Sequence, residues 1–146
     1  MLAERYVAGR FPVIEHIEPA ALAARLAAAD ERIVLFDVRE AAEFAISHIA
    51  GAVRVDPAMD AKAFQRRYGE LIEDRDVVVY CAVGLRSSRL GQRLVDGIVN
   101  LGGGRVINLS GGIFRWSNEQ RPLVDRNGST RAVHSYDAFW SRFLLP

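Results

Sequence analysis

The chain has 146 residues, 19 basic and 18 acidic, for a formal net charge of +1, and half of its residues are hydrophobic. That length and apolar content suit one domain with a buried core and exclude the composition of a disordered chain. The charge balance gives no drive toward nucleic acid or an anionic membrane. Cys81 is the only cysteine, which excludes an intramolecular disulfide and a cysteine-based zinc site and fits a reducing compartment. No stretch approaches the roughly 18 uncharged apolar residues of a spanning helix. Residues 1–14 alternate charged and apolar positions and lack the apolar segment of a signal peptide. The expectation is a soluble cytoplasmic protein with neither nucleic acid nor membrane as partner.

In chain order, Pro19 opens a helical pattern with Leu22 and Leu26 four apart, and proline is tolerated in a first helical turn. Ile33-Val34-Leu35-Phe36, ending at Asp37, has the length and branching of a strand buried on both faces. Arg39 to Ser47 reads as a short helix closed by Gly51, and Asp60 opens another around Phe64, Tyr68 and Leu71. Val77-Val78-Val79-Tyr80 is the strongest strand and runs straight into Cys81. Ser87 to Ile98 is helical by the spacing of Leu90, Leu94 and Ile98, and Gly102-Gly103-Gly104 breaks it. Val106-Ile107-Asn108-Leu109 is a further strand, followed by Ser110-Gly111-Gly112 and a short helix carrying Ile113, Phe114 and Trp116. Strands alternating with helices imply an α/β three-layer domain, a mainly parallel central sheet covered by helices on both faces. Asn127-Gly128-Ser129-Thr130 is turn chemistry. Tyr136, Phe139, Trp140 and Phe143 then mark one face of a C-terminal aromatic helix, packed on the domain or on a partner. The division expected is a domain over 13–125 and a turn with its amphipathic helix over 126–146.

The chemistry concentrates at Cys81-Ala82-Val83-Gly84-Leu85-Arg86-Ser87. A cysteine at the carboxyl end of a buried parallel strand sits where open α/β sheets bind ligands. Gly84 permits an unusual backbone turn, and successive loop N–H groups leading into a helix form an anion-binding concavity. Arg86 adds a formal positive charge. Thiols at helix amino termini ionise at about 3.5–7.5, against about 8.5 when free. The segment therefore offers a nucleophilic thiolate beside a cradle for a small anion. A buried, inert cysteine is the plain alternative, and the loop, glycine, arginine and helix start together argue against it.

Tyr80 to Ser87 resembles the active-site loop of single-domain rhodaneses, the sulfurtransferase family. Leu35 to Glu40, continuing through Glu43-Phe44 to His48-Ile49-Ala50-Gly51-Ala52, resembles that family's amino-terminal signature, and Leu109 to Trp116 its carboxyl-terminal one. The resemblance covers roughly 13–125. It implies a Cys81 nucleophile that takes a sulfane sulfur from thiosulfate or a persulfide donor. The sulfur is held as a persulfide and passed to cyanide in assays or to a thiol in cells. It further implies Ala82, Val83, Gly84, Leu85, Arg86 and Ser87 as the substrate cradle, with Arg86 orienting an anionic donor, and Asp37 and Arg39 as supports of the loop. No metal or organic cofactor is implied. The partners expected are a small sulfur donor, a thiol acceptor and a protein acceptor of sulfur, on a monomer or homodimer. The apolar loop side chains favour a protein or small-thiol persulfide over thiosulfate as donor.

Four residues separate Cys81 from Arg86. The related phosphatases and arsenate reductases of the same fold carry a loop one residue longer, so the count favours sulfur. Oxyanion chemistry at Cys81 and Arg86 stays as one alternative, and a non-enzymatic sulfur carrier or docking module as another. Ser47 stands where the family usually has glycine before the histidine, and Glu119-Gln120-Arg121-Pro122 replaces the family's common glycine before that proline. His48 lies in a segment that is structural in the family, and its ring is expected to bond backbone. His16 and His134 stand apart from any metal-ligand spacing. Glu40, Glu43, Glu70, Glu73 and Asp74 fall in polar stretches and read as a solvated face.

Overall fold

A computed structural model describes residues 2–11, 14–97 and 104–134. In chain order these form α1 (Leu2–Arg10), β1 (Glu15–Ile17), α2 (Pro19–Ala27), β2 (Ile33–Asp37), α3 (Ala41–Ile46), β3 (Val53–Arg54) and α4 (Ala61–Ile72). They continue with β4 (Asp76–Tyr80), α5 (Leu85–Gly97), β5 (Val106–Leu109), α6 (Gly112–Asn118), β6 (Leu123–Asp125) and β7 (Gly128–Thr130). Strands β1 to β5 make a parallel sheet in the order β1-β5-β4-β2-β3. β6 and β7 form a separate antiparallel hairpin, which turns at the Asn127-Gly128 segment.

Alternate residues of the central strands feed two cores, as the pleat requires. Ile33 and Leu35 of β2, Val78 and Tyr80 of β4, and Ile107 and Leu109 of β5 pack with Leu22 of α2 and Ile113, Phe114 and Trp116 of α6. On the other face Val34, Phe36, Val77, Val79 and Val106 pack with Phe64, Tyr68 and Ile72 of α4 and Leu90 and Leu94 of α5. Phe36, Phe64 and Tyr68 form an aromatic triangle with centroids 5.1 Å apart. Asp60 caps α4, its Oδ1 accepting from the Ala63 N–H at 2.7 Å, which is why the helix begins there. A third, smaller core of Val7, Phe11 and Ile14 brings α1 to the sheet beside Leu85.

The three-layer parallel architecture is the one expected. The central helices differ from the sequence reading by a few residues at their ends: the pattern at Arg39 to Ser47 contracts to Ala41–Ile46, and α5 begins two residues earlier than its apolar spacing indicates. The short elements α1, β1, β3, β6 and β7 are additions, β7 taking Gly128–Thr130, which the sequence reads as turn. Tyr136, Phe139, Trp140 and Phe143 lie outside the described residues.

The strand order reverses between β2 and β4. From β2 the chain moves outward to β3, then returns to β4 and continues the opposite way to β5. Open parallel sheets bind ligands at the carboxyl ends flanking such a switch point, and those ends carry Asp37 and Cys81.

Candidate active site

Cys81 leaves β4 into a three-residue turn, Ala82-Val83-Gly84, that enters α5. Its thiol is 1% exposed. The Gly84 N–H, first of the free donors at the amino end of α5, points to Sγ at 3.2 Å, and Ser87 Oγ lies 3.4 Å from the same sulfur. Gly84 takes φ +108°, and a Cβ there would stand 3.1 Å from Asn108 Nδ2. Glycine is therefore required both by the turn and by the neighbour.

The turn is held from outside by α6. The Ile113 N–H donates to the Cys81 carbonyl at 2.9 Å and the Phe114 N–H to the Ala82 carbonyl at 3.1 Å. This close approach depends on Gly112, whose φ is +58° and whose added Cβ would sit 2.4 Å from the Ala82 oxygen and 2.5 Å from that of Cys81. The Gly111-Gly112 pair, read from sequence as a turn, is that turn, and it presses the start of α6 onto the cysteine loop.

Asp37 and Arg39 are both fully buried. Arg39 Nε and Nη2 donate to the two Asp37 oxygens at 2.8 and 2.7 Å, and Nη2 also reaches the Ser47 carbonyl at 2.6 Å. The Tyr80 hydroxyl donates to Asp37 Oδ2 at 2.6 Å and accepts from the Ile49 N–H at 3.1 Å. Burial, with the Asp37 charge beside it, pushes the Tyr80 phenol well above its ordinary range, so it stays a neutral donor. The pair thus supports the site through Tyr80, the residue before Cys81, and ties the β2 end to the Ser47–Ile49 segment. Ser47 has φ −169°, extended backbone open to any residue, so no glycine is needed there.

Arg86 lies in the first turn of α5, its guanidinium bidentate on Glu43 of α3, Nη1 to Oε1 at 2.6 Å and Nη2 to Oε2 at 2.9 Å. Glu43 Oε1 also accepts from the Glu40 N–H at 3.0 Å in a capping box. Glu43 is 1% exposed, which corrects its reading as part of a solvated face. Glu43 is the one polar residue of α3, and it faces Arg86 of α5. Burial pushes the Glu43 carboxyl up, but Arg86, the Glu40 N–H and Arg39 outweigh it and hold it below the ordinary carboxylate range.

His48 stands away from this chemistry: its Nδ1 meets the Phe44 carbonyl at 3.1 Å and its ring stacks on Phe44 at 3.8 Å. His16, isolated in sequence, reaches the Asn108 carboxamide, which in turn bonds Ser87. Asn108 carries no chemistry-bearing signature of its own and was legible only as a strand residue. Among the described residues no group of three or more His, Cys, Asp or Glu could hold a metal ion, and no helix is long and apolar enough to cross a membrane.

A profile described as the rhodanese-like domain matches residues 18–119. The chain belongs to the rhodanese-like family. It is 34% identical over 116 residues to a sulfurtransferase of Allochromatium vinosum, covering 80% of this chain and all of that protein. Among solved structures, a rhodanese-related protein of Thermoplasma volcanium has a TM-score of 0.57 at 25% identity, over 75% of this chain and 97% of that one. A thiosulfate sulfurtransferase of Pseudomonas aeruginosa has a TM-score of 0.67 at 23% identity, over 97% of this chain and 25% of that larger one; this likeness is one of fold.

Proposed function

We propose that this rhodanese-like protein is a sulfurtransferase working through a persulfide on Cys81. The observation that carries the reading is the Cys81 sulfur itself, set at the switch point of the sheet with the Gly84 N–H and the Ser87 hydroxyl on it. The Gly84 N–H, fixed in advance, stabilises a thiolate or a persulfide anion better than bulk water does. The Ser87 hydroxyl adds a second donor when its proton turns from Asn108 to the sulfur. The thiolate attacks the outer sulfur of a donor such as thiosulfate. A Cys81–sulfur bond forms, the donor's sulfur–sulfur bond breaks, and sulfite leaves with the electron pair. An acceptor nucleophile, cyanide or a thiolate, then attacks the outer sulfur and returns the Cys81 thiolate. No net oxidation occurs, so the cycle calls for no redox cofactor.

The bidentate pairing with a buried carboxylate supports a bracing role for Arg86, holding the start of α5 against α3, with anion recognition falling to the loop N–H groups. The four-residue spacing favours sulfur over oxyanion chemistry, and the apolar side chains of Ala82, Val83 and Leu85 favour a persulfide donor from a small thiol or a protein. The test is steady-state kinetics with thiosulfate or glutathione persulfide as donor and cyanide or a thiol as acceptor. Parallel double-reciprocal lines, lost in Cys81→Ser, are expected from two sequential displacements. Hydrolysis of a phosphate ester or reduction of arsenate, with no sulfur moved, would overturn it in favour of oxyanion chemistry.

A further inference from the structure

A chain of polar contacts runs from Cys81 across β5 to the edge strand β1. Ser87 Oγ, 3.4 Å from Cys81 Sγ, is 2.6 Å from Asn108 Oδ1, and Asn108 Nδ2 is 3.2 Å from His16 Nδ1. Ser87 and Asn108 are fully buried, while His16 sits opposite Asn108 in the β1–β5 ladder with its Nε2 buried and unbonded.

Each link has a polarity that can be counted. A carboxamide oxygen carries no proton, so Ser87 spends its single hydroxyl proton on Asn108. Its oxygen then faces Cys81 with a lone pair, an arrangement that suits a thiol donating S–H. At the far end the Asn108 NH2 donates to Nδ1, which must be unprotonated. Protonating His16 sets N–H against NH2, and a half-turn of the carboxamide relieves the conflict. Oδ1 then accepts from Nδ1–H, the NH2 donates to Ser87 Oγ, and the freed hydroxyl proton turns to Cys81 Sγ, where it favours the thiolate. The turn gives up the Asn108 contact with the Leu109 carbonyl, at 3.3 Å the longest of the three that the Asn108 carboxamide makes.

We propose that His16 is a positioning residue whose protonation, relayed through Asn108 and Ser87, favours the anionic sulfur of Cys81. This rests on Cys81 being the sulfur-carrying nucleophile. The surrounding elements carry Glu15 and Glu18 within and after β1, Arg105 before β5, Glu4, Arg5 and Arg10 on α1, Arg86, Arg89, Arg93 and Asp96 on α5, and Arg115 on α6. Arg105 pairs with Glu15, Arg115 with Glu4 and Glu18, and Arg86 with Glu43. Among the described residues the hydrogen bond recorded for the His16 ring is the one to Asn108.

The test is the rate of Cys81 alkylation by iodoacetamide as a function of pH. At the acid end of the profile, with His16 charged, His16→Leu is expected to slow the reaction about tenfold, the worth of one hydrogen bond to a charged atom. Well above the imidazole range the two proteins should react alike. Ser87→Ala should show the same loss and make His16→Leu silent. A constant factor at every pH, equal rates throughout, or a His16→Leu effect that survives in Ser87→Ala would each overturn the relay. A second readout needs no variant: the His16 ring-proton NMR titration should move to lower pH once Cys81 is alkylated, and an unmoved titration contradicts the coupling. Neither measurement moves sulfur, so a coupled thiol that accepts no sulfur would refute the sulfur-transfer reading and leave the relay standing.

Discussion

Arg86 and Glu43 are 12% and 2% exposed in their side chains, so each has given up most of its water and depends on the other. Arg86→Ala leaves a carboxylate buried without its cation and should cost about 3 kcal/mol, whereas Arg86→Leu with Glu43→Leu should recover most of that loss. Urea denaturation of the three proteins checks both. Because Glu43 is held below its ordinary value of 4.5, the pair's contribution is present above that range and is lost as pH falls through the depressed value. The wild-type advantage over Arg86→Ala should therefore be largest near neutral pH and shrink as pH falls. Burial raises the Glu43 carboxyl once Arg86 is gone, so the variant is relieved by protonation before the wild-type pair is broken. Of this site, Cys81, Gly84 and the Asp37–Arg39 pair were legible in the sequence because local motif and strand position mark them. Glu43 was not, since its partner lies 43 residues away and a single acidic residue on a short helix looks the same in sequence whether it faces water or another helix. The same holds for His16, which meets Asn108 across 92 residues of chain.

At the scale of elements, the cysteine loop keeps its shape because α6 begins against it. Gly112→Ala would put a methyl group 2.4 Å from the Ala82 carbonyl at a backbone φ of +58°. That conformation costs roughly 1–3 kcal/mol for a residue with a side chain, and the loop carbonyls must also retreat. Loss of stability by thermal melt, with Cys81 alkylation and sulfur transfer both altered in the protein that remains folded, is expected. Gly128→Ala in β7 is the control. Its φ is +121° but its Cβ would meet open space, so it should lower stability and leave Cys81 unaffected. The long central elements were readable from period and branching. β1 has three residues and β3 two, too few to show a period of two, and they are strands because a neighbouring edge offers them hydrogen bonds. α1 carries no apolar stripe of helical spacing. Its docking rests on Val7, beside Phe11 and Ile14 just beyond it, against a surface the sequence does not reveal.

For the whole molecule, one doubly covered parallel sheet does two things. It buries β2, β4 and β5 on both faces, which is why their sequences read as unbroken apolar runs. Its reversal of strand order also brings the ends of β2 and β4 together, so the Asp37–Arg39–Tyr80 network and the Cys81 loop become neighbours. The sequence showed the alternation of strands and helices, while the order of strands emerges only from the pairing. The central claim is that Cys81 carries sulfur covalently, and intact-mass spectrometry tests it most directly. The protein would be incubated with thiosulfate or with glutathione persulfide, measured, then treated with cyanide and measured again. The account predicts a gain of one sulfur atom with at least one donor, discharged by cyanide and absent in Cys81→Ser. No gain with either donor, or an equal gain in Cys81→Ser, would contradict it.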